Sequence, residues 1–150
     1  MTIDPTTLGN ITSADAVVIM RVETIYPTGV ELTGFATDSM WDVAQQVMAE
    51  VKQGADGQTY AGWIPQLKEI TFHLESPSPA RGYLQNVAAT QEKNKTVYAT
   101  ELEITLPALK ERFKLYSGAL QAGQPIPTAA ATLQAGDWVF KFGKVDYEKY

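Results

Sequence analysis

The side chains that could do chemistry are few and widely spaced. His73 is the single histidine, and Glu75 stands two residues on, where a strand would place both on one face. One imidazole and one carboxylate fall short of the ligand set that a zinc or transition-metal site needs. Asp38 with Asp42, or Glu101 with Glu103, could be written as an acid/base pair, but carboxylates so spaced are the ordinary furniture of solvated surfaces. There is no cysteine, which excludes disulfides, thiolate metal sites and cysteine nucleophiles. No GxSxG, HExxH, phosphate-loop or dinucleotide fingerprint occurs. The sequence therefore predicts no catalytic residue, no metal and no cofactor: a protein that is not an enzyme.

The elements that would position these residues read mostly as strands. At 150 residues the chain is expected to form one domain, long enough to bury about 68–70% of its unfolded surface. Ala16–Val22 is a short β-branched run that reads as a strand buried on both faces, with a turn expected at Pro27, Thr28 and Gly29. Ile70, Phe72 and Leu74 alternate with Glu69, Thr71, His73 and Glu75, and Leu102, Ile104 and Leu106 with Glu101, Glu103 and Thr105: two half-buried strands. Ser78 as N-cap and Pro79 at the first helical position open a helix over about 79–93, whose apolar side is Ala80, Tyr83, Leu84, Val87 and Ala88. Arg112–Leu120 reads as a strand, and Trp138, Phe140 and Phe142 line the apolar face of a last one. The expected fold class is mainly β (α+β): an antiparallel barrel or sandwich with one packed helix and a long hairpin arm over about 40–63. Residues 1–13 are polar and are expected to form a flexible N-terminal arm. MTIDPTTLGN carries no basic region followed by an apolar one, so no export signal is expected. The longest wholly apolar run, Ala16–Met20, is too short to span a bilayer.

The segment from Met40 carries two patterns. Met40, Val43, Ala44, Val47, Met48 and Val51 form a helical stripe, and Ser39 with Asp42 could cap it, so local pattern predicts a helix over Met40–Lys52. From Val47 the same residues also alternate as a strand, followed by a Gly54–Gly57 turn. As hairpin limbs they are too polar to line a core, and such an arm makes sense chiefly if another chain covers it.

Charge points the same way. The total is −5, but residues 1–62 carry a net −6 and residues 63–150 a net +1. The acidic balance argues against adhesive binding to phosphate backbones, which draws its affinity from Lys and Arg. The asymmetry suits a subunit that docks its acidic part on a more basic part of a neighbour.

GADGQTYAGWIP (54–65), then KEITFHLESPS (68–78), then a helix, resembles the tail tube protein of contractile-tailed bacteriophages, whose fold is shared with type VI secretion tubes. ITLPALKERFKLYSGALQAGQPIPTAAATLQAGDWVFKF (104–142) is similar to the family's closing strands, and ITSADAVVIMRV and GFATDSMWDV to its opening, so the likeness covers nearly the whole chain. The resemblance implies strands at about Val47–Gln53 and Gln58–Trp63 in place of the helix. It also implies stacked hexameric rings whose lumen conducts DNA during ejection. The partners would be further copies of the chain, the tail sheath, the tape-measure and the baseplate or initiator proteins, with DNA passing without specific binding. The location would be the virion, after assembly in the host cytoplasm. Expected contacts between subunits or rings are Asp38, Trp41, Asp42, Glu50, Lys52, Asp56, Tyr60 and Trp63. A lumen that lets DNA slide should carry more acid than base; its expected lining is Glu69, Thr71, His73 and Glu75, or Glu101, Glu103 and Thr105. A type VI secretion or bacteriocin tube, and a small-ligand β-barrel, are the alternative readings.

Overall fold

The computed structural model describes residues 11–150, so most of the expected N-terminal arm lies outside the described residues. Nine strands and one helix follow in order: β1 (Val17–Val22), β2 (Tyr26–Leu32), β3 (Trp41–Val43), β4 (Ala49–Gln53), β5 (Thr59–Trp63), β6 (Lys68–Leu74), α1 (Pro79–Asn94), β7 (Thr100–Leu106), β8 (Glu111–Gly123) and β9 (Gly136–Lys149). Seven strands form one antiparallel sheet in the order β2-β1-β7-β8-β9-β6-β3, and β4 with β5 forms a separate two-stranded ribbon. None of the helices among the described residues is long and apolar enough to cross a membrane.

The sheet curls around one apolar face. Val18, Met20, Val22, Ile70, Phe72, Leu74, Leu102, Ile104, Trp138, Phe140 and Phe142 all turn into the same cluster, although β1 and β6 stand four strands apart. Phe72 sits at its centre, edge-on to Phe140 and to Trp41. The sheet does not close into a barrel. Only a short tie joins the chain beyond β2 to the end of β6, where Phe35 bridges Leu74 and the Glu75 N–H donates to the Gly34 carbonyl. Gly34 is required there: its φ is +76°, and a Cβ would stand 2.6 Å from the Ser78 hydroxyl.

That hydroxyl begins the helix. Ser78 Oγ accepts the Ala80 N–H and donates to the Thr33 carbonyl, so the N-cap also pins the chain that leaves β2. α1 then covers the core with Ala80, Leu84 and Val87, and its end turns on Lys95 in the left-handed conformation, φ 50°.

Two sequence expectations are corrected here. β1 is buried on one face only: Val18, Met20 and Val22 enter the core, while Ile19 lies on the other face between Glu31 and Glu103. The turn expected at Pro27–Gly29 falls instead at Glu23–Ile25, and Pro27–Gly29 forms an irregularity within edge strand β2. An edge tolerates the missing proline N–H, and a bulge accepts glycine at φ +96°.

Candidate assembly surface

The hairpin arm is the extension of a sheet edge. β3 pairs with β6 through Trp41–Phe72 and Val43–Ile70, and the same two chain limbs pair again farther out as β4 and β5. Pro65 interrupts the ladder between them, because it has no N–H to give. Side chain and backbone patch the gap: the Val47 N–H donates to Gln66 Oε1 at 2.8 Å, and the Ile64 N–H to the Met48 carbonyl at 3.1 Å. At the tip, Gly57 takes φ +82°, and the Asp56 carboxylate accepts the Gln58 N–H and the Tyr60 hydroxyl, both at 3.0 Å. The Gln58 bond and then the Tyr60 bond hold the Asp56 pKa below the usual carboxylate value. Strands therefore stand where the helical stripe of Met40–Lys52 pointed to a helix, because cross-strand pairing overrides local period.

Every residue of β4 and β5 is exposed. Register puts Ala49, Val51, Ala61 and Trp63 on one face of the ribbon and Glu50, Lys52, Tyr60 and Gly62 on the other. Trp63 is 77% exposed, Met48 66% and Val51 65%. Of the expected contact residues, Glu50, Lys52, Asp56, Tyr60 and Trp63 lie on this arm, although Asp56 is engaged in building the tip. Asp38 is exposed in the bend before β3. Trp41 and Asp42 face the body: Trp41 packs edge-on against Phe35 and Phe72, and Asp42 binds His73. Sequence reasoning passed over Val47, Met48 and Val51 as contacts, although all three are exposed apolar residues of this region. Their signal was the stripe itself, read as one face of a helix.

The two sets proposed for a lumen share a single surface. Glu69, Thr71 and His73 on β6 and Glu101, Glu103 and Thr105 on β7 alternate with buried neighbours, so both sets occupy the sheet face opposite the core; Glu75 follows the end of β6. This face is charge-mixed. Glu103 stands 3.5 Å from both Arg21 and Arg112, Arg112 also meets Glu148 at 3.7 Å, and Glu69 meets Lys141 at 3.8 Å. Such cross-strand pairs stitch neighbouring strands together.

His73, which shares a strand face with Glu69 and Thr71, is held by two carboxylates from neighbouring strands. Its Nδ1 meets Asp137 on β9 at 2.5 Å and its Nε2 meets Asp42 on β3 at 2.6 Å, so one imidazole clips three strands. Burial opposes the charged ring, but the two carboxylate bonds outweigh it and raise the His73 pKa above its ordinary value. Both ring nitrogens are committed to carboxylates, and among the described residues no group of three or more His, Asp and Glu is arranged to hold a metal ion.

Below the arm's root the apolar side of the curl opens to solvent. A cavity of about 330 Å³ is lined by Trp41, Val43, Ile70, Ile104, Leu106 and Phe113 among others.

An open curled sheet, one capping helix and a projecting ribbon is an architecture found in contractile particles. The chain is similar to one in the extended sheath–tube complex of PVC, an extracellular contractile injection system: TM-score 0.61, 11% identity, 99% of this chain and 100% of that one covered. It is similar to one in the PVC sheath/tube terminator (TM-score 0.57, 12% identity, 92% and 96% covered). A third is found in the anti-feeding prophage baseplate (TM-score 0.56, 12% identity, 93% and 95% covered). At these identities the likeness is one of fold, and it accords with the resemblance to contractile-tail tube proteins. Residues 9–146 match the family described as tail fiber protein gp32, and the chain belongs to that family. No curated protein matches it in sequence.

Proposed function

We propose that this chain is the tube subunit of a contractile phage tail. Copies associate head-to-tail into hexameric rings, the rings stack, and the hollow stack conducts DNA during ejection without chemistry of its own. The observation that carries this reading is the arm. Among the described residues, half of the large exposed apolar side chains fall between Val43 and Leu67, on or beside a ribbon whose limbs pack mainly on each other. Apolar surface of that extent, held out from the body, is what an obligate neighbour covers. The sheet's two free edges supply further unpaired backbone groups for lateral association. A heterologous contact of this kind closes into a ring or propagates as a filament.

The sheath, the tape-measure and the baseplate or initiator proteins are the partners this function implies, with the virion as its location after assembly in the host cytoplasm. A type VI secretion or bacteriocin tube would use the same surfaces with a different cargo. The small-ligand barrel gains nothing from the arm, and the sheet it needs is open here.

Negative-stain electron microscopy of the purified protein, paired with light scattering, tests the proposal. Rings or hollow tubes are expected. A monodisperse monomer at high concentration, unchanged by added tail initiator, refutes it.

A further inference from the structure

The arm's apolar face and the cavity at its root are two apolar surfaces of opposite shape on one chain. We propose that the arm face formed by Val51, Ala61 and Trp63 seats in the cavity of a second copy, with Trp63 as the anchor. This rests on the tube reading and names the surface that receives the arm.

The cavity's volume, about 330 Å³, is that of a pocket that accepts a compact apolar group. Both charged residues that line it are already engaged: Lys68 Nζ donates to the Gly143 carbonyl and Glu69 meets Lys141, so the opening favours an aromatic over a charge. A well-exposed tryptophan entering an apolar pocket is the arrangement that concentrates binding energy at protein interfaces. The chain's own arm does not fill its own cavity. It leaves from the rim at Val43 and Lys68, its limbs joined by the Met48–Ile64 and Val47–Gln66 bonds, and none of the β4 or β5 residues lines the cavity. Each copy thus offers one anchor and one seat, which allows the contact to repeat head-to-tail from copy to copy.

The absence of cysteine makes the test clean. Ala61→Cys is prepared in one batch and Leu106→Cys in another, with Val145→Cys as a second seat variant should Leu106→Cys fold poorly. The two are mixed under oxidising conditions. A cross-linked dimer well above the level in either batch alone is expected. Adding Trp63→Ala to the arm variant should cut its yield about tenfold or more, with an unchanged circular dichroism spectrum because Trp63 touches little of its own subunit. Cross-linking of Ala61→Cys to Lys114→Cys on the opposite sheet face, and not to Leu106→Cys, overturns the proposal. So does a Leu106→Cys that becomes reactive only after residues 1–10 are removed, which makes the chain's own N-terminus the occupant. Tubes that form without the cross-link overturn this docking and leave the tube reading standing; wild-type protein that never assembles overturns both.

Discussion

Replacing His73 by Asn should destabilise the subunit in acid more than in alkali. The substitution removes the imidazolium and the reach to Asp42, while an amide remains near Asp137. Hydrogen bonds to charged groups contribute about 1.5–3 kcal/mol when shielded. Here the ring is 20% exposed but Asp42 and Asp137 are 71% and 56% exposed, so each pair falls toward the range of about 0–1 kcal/mol for solvated ion pairs. Together they contribute about 1–2 kcal/mol, or about 3–6 °C in Tm for a chain of this length. Because the folded His73 pKa is raised, its contribution is fully present below about pH 6.5, the unfolded value, and is lost as pH rises through the folded value. Urea denaturation of dilute, unassembled wild type and His73→Asn at pH 5.5 and pH 9 reads the difference directly. The gap should be widest at pH 5.5 and close toward pH 9. A gap that is constant, or that widens with pH, refutes the three-strand clip.

Three further outcomes follow from the packing. Phe72→Ala, at the centre of the aromatic cluster, should cost about 3–5 kcal/mol in denaturant unfolding, and a loss below about 1 kcal/mol would contradict its central place. Ser78→Ala removes the cap of α1 and the Thr33 bond together, so about 1–2 kcal/mol is expected by the same measurement, with a loss of helical circular dichroism at intermediate urea. Val51→Asp should leave subunit stability within about 0.5 kcal/mol, because the side chain is exposed. It should nevertheless abolish rings and tubes in micrographs, and intact tubes would show that the arm's apolar face is not covered by a neighbour.

What was legible in the sequence was whatever rests on neighbouring residues. The Ser78–Pro79 start, the helix it opens, and the alternation of β6, β7 and β9 each depend on a few consecutive positions. What escaped depends on distant partners. Pro27–Gly29 carries turn residues, yet pairing with β1 draws it into an edge bulge. The helical stripe from Met40 contradicts the hairpin because the strand pairing that decides it reaches across to Thr59–Trp63 and Ile70–Phe72. The resemblance resolved that conflict where the local pattern could not. For His73 the sequence offered only Glu75, two residues away on the same strand face, as a neighbour. Its real partners lie 31 and 64 residues distant and arrive only through the registers of β3 and β9 on β6. Spacing along the chain carries no record of such a meeting.

That register also changes the lumen question. The two carboxylate sets were posed as alternatives, but β6 and β7 present them on one face of one curled sheet, with β8 and β9 between. In the tube proposed here, either of two arcs of that face could look inward. On the β1–β7 arc, Glu103 is held between Arg21 and Arg112. On the β3–β6–β9 arc, Asp42 and Asp137 flank His73, and Lys141 is the cation next to Glu69. The second arc alone can change its charge near neutral pH, because its acids are balanced partly by an imidazole and the first arc's by guanidinium groups. If the β3–β6–β9 arc lines the lumen, the wall becomes more negative as His73 loses its proton, and its repulsion of a polyanion grows with pH. If the β1–β7 arc does, the wall charge stays constant across the same range. Zeta potential measured on sheath-free tubes cannot separate the arcs, but the pH dependence of the conductance of single tubes can, because it reads the inner wall alone. A cation preference that rises between pH 6 and pH 9 in wild type and is flat in His73→Asn places β6 inward, and a flat profile in both places β7 there.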